Sequence, residues 1–464
     1  MKVVLATHHF PPKYVGGVEL IVRRAAHWLT RNGHQVQVVC VESIDQPSTR
    51  GLDVATDEYE GIAVHRLSFS RGQTGNVFRE SFQNPFIGQW FERFLRVSLP
   101  DIVHVHSGYL LSGSVIEAAK AVGIPTVVSL HDYWFFCPRI TFLRPDGSRC
   151  FGPQDATICA WCLQTERRRY RLPDWVSGGI LGHFVQRVLR NPRVTKVVGW
   201  RDQITALLER KRYLSERLAA ADIIITQARM VYETLLHEDL PPERMRLIPY
   251  GLDLSGWKFL ESTDSENGRL RIGYLGSLVP AKGAHVLISA FRQLRATGAQ
   301  PQLKLHGSMT ILPPYVKWLQ KLAGNDPRIT FAGRYENSDV ERILSEIDVL
   351  VVPSLWYEIG PLVTMEALAS KTPVVVGNIP NMKYQIKDEI DGLHYDVDSV
   401  ADLTRQLQRL LDEPNLVEHL RSGIGQVRTF EQEAMEIAQI YYQVLGQAHP
   451  SNELCSLQKG KADV

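Results

Sequence analysis

VLVVPSLWYEIGPLVTMEALASKTPVVV, residues 349–376, is the stretch whose reading decides the fold. Val349-Leu350-Val351-Val352 is a continuous apolar run, the pattern of a parallel strand covered on both faces. Gly360 is free to take backbone conformations closed to other residues, and Pro361 suits the first position of a helix, where its missing N–H costs nothing. Leu362 and Val363 follow with free amides. Such a helix start presents N–H donors and partial positive charge, which is a site for a phosphate or diphosphate. Glu358 precedes the helix and Glu366 lies one turn beyond Leu362, so both carboxylates flank the same bound group. Carboxylates accept strongly from the paired hydroxyls of a sugar or ribose.

Working outward, the chain of 464 residues is too long for one compact core, which predicts two domains. A net charge of +2 argues against nucleic acid as the main partner. Residues 1–17 read as a strand and loop and not as a signal peptide, and no run of eighteen apolar residues occurs, so a cytoplasmic protein is expected.

Toward the N-terminus, strands are expected at 2–7, 35–41, 62–67, 102–106, 126–130 and 221–226, with an amphipathic helix over 18–32. Strands alternating with helices predict an α/β fold with a doubly wound parallel sheet, whose ligands sit beyond the carboxyl ends of the strands. Gly16-Gly17 lies at such an end and brings backbone close to a ligand, or is a plain turn. His131-Asp132 lies at another. A neutral imidazole there shares a proton or holds a hydroxyl, although a His-Asp pair is also a common structural pair.

An insertion over 137–217 has two characters. Cys137, Cys150, Cys159 and Cys162 end in a Cys-x-x-Cys pair and supply four thiolates for a structural zinc or an iron–sulfur cluster, with no open position for chemistry; spacing does not choose between them, and free thiols are the bland alternative. Residues 166–217 carry thirteen lysines and arginines interleaved with Trp175, Ile180, Phe184 and Leu189. That mixture suits anionic lipid head groups or a lipid-diphosphate acceptor, with a solvated helical cap as the alternative.

Toward the C-terminus, 261–269 reads as a polar linker and 271–275 as the first strand of a second sheet. Gly276-Ser277-Leu278 then leads to Lys282-Gly283 at a helix entrance, where a lysine suits a diphosphate oxygen. Asp396-Val397-Asp398 precedes a helix and is read as its cap, so no catalytic metal is expected.

Glu358 and Glu366 with seven residues between them, the Gly-Pro helix start and the flanking strands together resemble the Glu-x7-Glu signature of retaining glycosyltransferase family 4. SLHDYWFFCP (129–138), Gly16-Gly17, Tyr250-Gly251-Leu252-Asp253 and Gly392-Leu393-His394-Tyr395 resemble further segments of that family, and the likeness runs to about Leu445. The resemblance implies a GT-B fold: residues 1–253 forming an acceptor-side Rossmann-like domain, 254–429 a nucleotide-sugar domain, 430–446 a helix crossing back, 447–464 a flexible tail, and a site split across a cleft. It implies transfer of a sugar from a nucleotide diphosphate sugar to an acceptor hydroxyl with retention, in polysaccharide, lipopolysaccharide or other envelope glycan synthesis. By the match, Glu366 holds the ribose, Glu358 the donor sugar, and Lys282 with Gly360, Pro361 and Leu362 the diphosphate. His131 and Gly17 approach from the other domain. The family's arginine is Ser277 here, and Arg334 is the expected substitute. A same-fold epimerase or hydrolase, or a non-catalytic nucleotide-sugar binder, are the rival readings.

Overall fold

The computed structural model describes residues 1–46, 51–177, 179–191, 193, 200–238, 240–260, 269–296, 298, 300–413 and 415–446. The linker expected at 261–269, apart from Arg269, and the tail expected at 447–464 lie outside them. The chain divides into two units, one of Met1–Pro249 with the chain from Glu433 onward, the other of Tyr250–Gln432. The division falls four residues before the expected 253/254 boundary because Tyr250 belongs to the second core: it is 6% exposed, and its ring lies where a side chain on Gly360 would be.

In the first unit, eight strands are β1 (Lys2–Thr7), β2 (Gln35–Ser43), β3 (Asp53–Tyr59), β4 (Ile62–Ser68), β5 (Ile102–Val105), β6 (Thr126–Leu130), β7 (Ile223–Thr226) and β8 (Met245–Leu247). Their order is β3-β4-β2-β1-β5-β6-β7-β8. All neighbours pair in parallel except β3, which runs antiparallel to β4. β3 was not foreseen, and its sequence DVATDEY explains why: it is exposed nearly throughout and has no buried face to impose alternation. Its acidic residues suit an edge, where charge discourages pairing with another chain.

The apolar runs of the inner strands bury Val3, Leu5, Val38 and Val127, and the helix Gly17–Arg31 lays Val22, Ala26 and Leu29 on them. The helix Phe430–Val444 adds Ile440 and Tyr441 to the same core. Tyr441 Oη lies 2.6 Å from Nδ1 of His104 on β5, which closes the unit with a residue from the far end of the chain.

The second unit has six strands: β9 (Arg271–Leu275), β10 (Gln302–His306), β11 (Ile329–Gly333), β12 (Val349–Val352), β13 (Val374–Gly377) and β14 (Gly392–Tyr395). They run parallel in the order β11-β10-β9-β12-β13-β14. Every residue of β12 and β13 is buried, as their unbroken apolar runs require. Arg271 and Asp348, 2.6 Å apart, pin the starts of β9 and β12 together.

Three local expectations are corrected. Pro361 is not the first helical residue; with ψ 116° it is the residue before the helix Leu362–Ala369. Gly360 does not use a left-handed conformation, since its φ is not positive; glycine is needed because a Cβ would lie 2.6 Å from Tyr250 Cδ2. Finally, Ser399 caps the helix Val400–Asp412 by accepting from the Asp402 amide at 3.1 Å, while Asp398 turns the chain at φ 71°. A hydroxyl one residue further on satisfies the amide that the aspartates were expected to take.

Candidate active site

In the second unit the chemistry gathers where β9 and β12 end, adjacent strands in the middle of the sheet. After β9 the chain forms the turn Pro280–Lys282 and passes through Gly283 at φ 69° into the helix Ala284–Phe291. Any side chain at Gly283 would lie 1.8 Å from the Pro353 carbonyl oxygen. Glycine therefore lets the two loops touch, and Lys282 is carried onto the loop after β12.

There Lys282 Nζ lies 2.6 Å from Glu358 Oε1 and 5.4 Å over the Trp356 ring. The same oxygen accepts from Ser354 Oγ at 2.6 Å and Trp356 Nε1 at 2.7 Å. Three donors converging on one oxygen of a side chain only 5% exposed fix its rotamer. Oε2 has no partner among the described residues. Asn381, in the first turn of the helix Pro380–Gln385, donates to the Glu358 carbonyl and holds its backbone as well.

Four residues after Glu358, no side chain caps the helix Leu362–Ala369, so its first amides are open to an anion. Glu366, one turn in, is partly buried. It lies close enough to Tyr335, in the loop after β11, to help push that phenol up to about 12, a shift due mainly to burial. Lys282, Glu358, Gly360, Pro361, Leu362 and Glu366 are thus arranged along one loop system.

Arg334 is placed differently. β11 is the sheet edge, with β10 between it and β9, and the Arg334 side chain is 74% exposed and paired with Glu336 at 3.2 Å. Ser277 is exposed, and its carbonyl is held by Tyr274 Oη at 2.8 Å.

In the first unit, the carboxyl ends of the neighbouring strands β1, β5 and β6 bring together histidines that sequence reading left scattered. His106 Nδ1 lies 3.0 Å from His131 Nε2, with the rings stacked at 5.2 Å. Burial holds both well below the ordinary imidazole value, so both are neutral, and His104 behind them is pushed down to about 3 for the same reason. Asp132 accepts from the Trp134 amide at 2.8 Å and from Ser107 Oγ at 3.2 Å, and burial raises its pKa. Asp132 is thus held by Trp134 and Ser107.

His8, at the end of β1, lies 3.3 Å from Glu19 in the first turn of the helix that Gly17 opens. A side chain at Gly16 would strike that carboxylate, whereas one at Gly17 would meet nothing within 4 Å. Gly17 therefore leaves open space at a helix start. His8, Glu19, His106, Ser354 and Trp356 were not singled out from the sequence. A histidine one residue past each of three adjacent strands is the readable signal, but it needs the strand order β1-β5-β6 to be recognised.

Comparison with known proteins agrees with this layout. The family described as "Glycosyl transferase 4-like domain" matches residues 16–251, and "Glycosyl transferases group 1" matches residues 257–424. Glycogen synthase of Mycobacterium tuberculosis is 23% identical over 431 residues, covering 89% of this chain and 87% of its own. D-inositol 3-phosphate glycosyltransferase of Corynebacterium kroppenstedtii is 24% identical over 264 residues, 52% of this chain and 58% of its own. Among solved structures, sucrose-phosphate synthase of Thermosynechococcus elongatus superposes with a TM-score of 0.65 at 18% identity, over 96% of this chain and 99% of that one. Anabaena Alr3699/HepE in complex with UDP superposes with a TM-score of 0.63 at 14% identity, over 96% of this chain and 100% of that one. With two parallel-sheet α/β units of the GT-B kind and a family match over each half, the chain belongs to the group 1 glycosyltransferases, with a glycosyl transferase 4-like N-terminal half.

Proposed function

We propose that the protein transfers a sugar from a nucleotide diphosphate sugar to an acceptor hydroxyl with retention of anomeric configuration. The observation that carries this reading is the Glu358 carboxylate: one oxygen anchored by three donors, the other without a partner, beside a lysine and an uncapped helix start. Oε2 is the acceptor for a donor-sugar hydroxyl. Lys282 and the amides at Leu362 take the diphosphate, Glu366 takes the ribose, and no divalent ion is assigned a role. On the first unit, neutral His131 holds or shares the proton of a hydroxyl, and Gly17 leaves backbone open to ligand.

The test is thermal stabilisation by a panel of nucleoside diphosphates and their sugars. A ligand at a hundred times its dissociation constant that binds only folded protein adds about 2.7 kcal/mol. One base class is expected to give that shift, and Glu366→Ala to remove it. No shift with any member of the panel would overturn the donor site.

Ser277 favours a weaker donor site, and in the extreme a non-catalytic binder, because one cation expected at the diphosphate is absent. Ser277→Arg is expected to tighten donor binding about tenfold or more, since a charge-assisted contact to phosphate contributes about 1.5–3 kcal/mol. The position is exposed and has room for the longer side chain. Unchanged affinity by calorimetry would place the diphosphate elsewhere.

For the acceptor, the insertion favours a lipid-linked or membrane-proximal glycan, of the kind used in envelope polysaccharide synthesis. The helices Arg168–Val176 and Ile180–Leu189 leave Val176 75%, Ile180 73% and Phe184 64% exposed, beside exposed Arg168, Arg169, Arg187 and Arg190. The acid in this segment is turned inward, with Asp174 accepting from Trp161 Nε1 and the Gly182 amide. No described helix is long and apolar enough to cross a membrane, so the contact is with a surface. Each arginine near an anionic bilayer contributes about 1 kcal/mol. Cosedimentation with phosphatidylglycerol vesicles, but not phosphatidylcholine ones, is expected, falling at least tenfold in an Ile180→Glu, Phe184→Glu variant. Equal recovery with both vesicle types would remove the membrane from the proposal.

A further inference from the structure

Four thiols of the insertion face one cavity. Cys137 ends the turn that follows His131-Asp132, its amide donating to the Tyr133 carbonyl at 2.7 Å. Cys150 ends a hairpin closed by the Leu143 and Arg149 bridge, its amide donating to the Phe142 carbonyl at 2.7 Å. Cys159 and Cys162 lie on the helix Ala156–Gln164, three residues apart and so on one face. All four line the same cavity, whose remaining wall is largely apolar, with Phe136, Phe142, Leu143 and Ile158. All are free, so no disulfide spans it.

Two features decide what chemistry suits this arrangement. Among the described residues, no three His, Cys, Asp or Glu side chains stand close enough together to hold a single ion. The thiols surround the cavity without converging on a point. The cavity measures about 30 Å³, on a scale where one water needs roughly 10–15 Å³, so it takes a group larger than a bare ion.

Charge points the same way. Arg210, on the helix Arg201–Ala220, is 4% exposed and within electrostatic reach of Cys137 and Cys159. Its guanidinium donates to the Trp134 carbonyl and lies 5.4 Å over the Trp134 ring, and Asp132 is the carboxylate within its electrostatic reach, without a direct ion pair between them. A buried cation with no anion in direct contact is costly. Arg144 also lines the cavity, as does Arg139, which is paired with Glu166. A multinuclear centre held by four thiolates is anionic, and it would place that charge where the cations already are.

We propose that Cys137, Cys150, Cys159 and Cys162 hold a cubane iron–sulfur cluster rather than a single zinc ion. Each thiol sulfur bonds one iron of a cluster supplied preformed on thiolate ligands, displacing the thiolate that held that iron, and the thiol's proton passes to the departing thiolate. No electron is transferred in that step. The cluster is structural, tying the turn after His131 to the hairpin and to the insertion helix, and all four sulfurs are used.

The experiment is anaerobic isolation of the full chain, followed by reconstitution with sulfide and equal amounts of ferrous and ferric iron, which together supply the cluster's oxidation level without a further oxidant. About four irons and four sulfides per chain are expected, with a visible charge-transfer absorption that dithionite bleaches and a Mössbauer spectrum of tetrathiolate-ligated iron. Cys159→Ser with Cys162→Ser is expected to lose all three signals, and Cys40→Ser, at a buried thiol in the first-unit core, to keep them. Should the double variant not fold, alkylation of the native wild-type chain decides: loaded protein shields the four thiols, and removal of iron by a chelator exposes them. One zinc per chain without iron overturns the cluster in favour of a single ion. Four thiols that remain freely alkylated after reconstitution overturn any bound centre.

Discussion

Glu358→Ala is expected to lower kcat/KM by at least about a thousandfold and to cost the second unit about 2 kcal/mol of stability. The activity loss follows from removing the oxygen proposed to meet the donor sugar together with the group that positions Lys282, both of which act in the transition state. The stability loss follows from leaving Lys282, Ser354 and Trp356 without the oxygen on which all three converge. Breaking a fully buried pair costs about 3–5 kcal/mol, and Lys282 is 31% exposed, so water compensates part of it.

Glu358→Gln separates the two effects. The amide oxygen still accepts from the same three donors, so stability is expected to fall by only about 1 kcal/mol. Charge is lost, however, and turnover is expected to remain at least about a hundredfold down while Lys282, no longer neutralised, leaves diphosphate affinity intact or improved. Wild-type turnover in either variant, measured with saturating donor, would remove Glu358 from the site.

Acidification is expected to destabilise the first unit steeply below pH 6.5. His104, His106 and His131 are buried and neutral, with native pKa values well under the ordinary 6.5. Below pH 6.5 the unfolded chain binds these three protons and the native chain does not, so stability falls as pH falls. Each histidine contributes a slope of about 1.4 kcal/mol per pH unit once pH is well below 6.5, or about 4 kcal/mol per unit for the three. Asp132 opposes this. Burial raises its pKa, so the native state takes that proton first and recovers stability from about the unfolded value upward, at most one histidine's slope. At Glu19 burial raises the pKa and His8 more than offsets it, so its contribution is lost only as pH falls from the ordinary carboxylate value toward the lower native one. Calorimetry at pH 7.5, 6.5 and 5.5 should show a first-unit transition that drops at each step. A flat melting temperature across that range would mean that the histidines are charged or hydrated in the native protein.

How much of this was legible depended on how locally each feature is encoded. β12 and β13 could be read from VLVV and PVVVG alone, because a strand covered on both faces admits little else. Glu358 and Glu366 were legible as a spaced pair with a helix start between them. The convergence of Ser354, Trp356 and Lys282 on one oxygen was not, since it depends on Gly283 touching Pro353 across 70 residues of chain. β3 was missed because an exposed edge strand needs no apolar period. Gly360 was assigned the right importance for the wrong cause: its smallness serves packing against Tyr250, which only the folded chain brings near. The histidines at the ends of β1, β5 and β6 could be seen individually, but their adjacency is a property of strand order. Arg334 follows a readable strand, but that β11 is the sheet edge is a property of strand order, and there the side chain pairs with Glu336 on the surface.

The Tyr441 and His104 contact joins residues 337 positions apart. During synthesis the first sheet emerges early, yet Ile440 and Tyr441 reach it only after the second unit has been made. Until then the face that receives them is uncovered apolar surface beside a buried imidazole lacking its hydroxyl partner. The half of the protein that is translated first is therefore finished last. A nascent chain halted before Glu433 should be caught by chaperones or proteases through its older half.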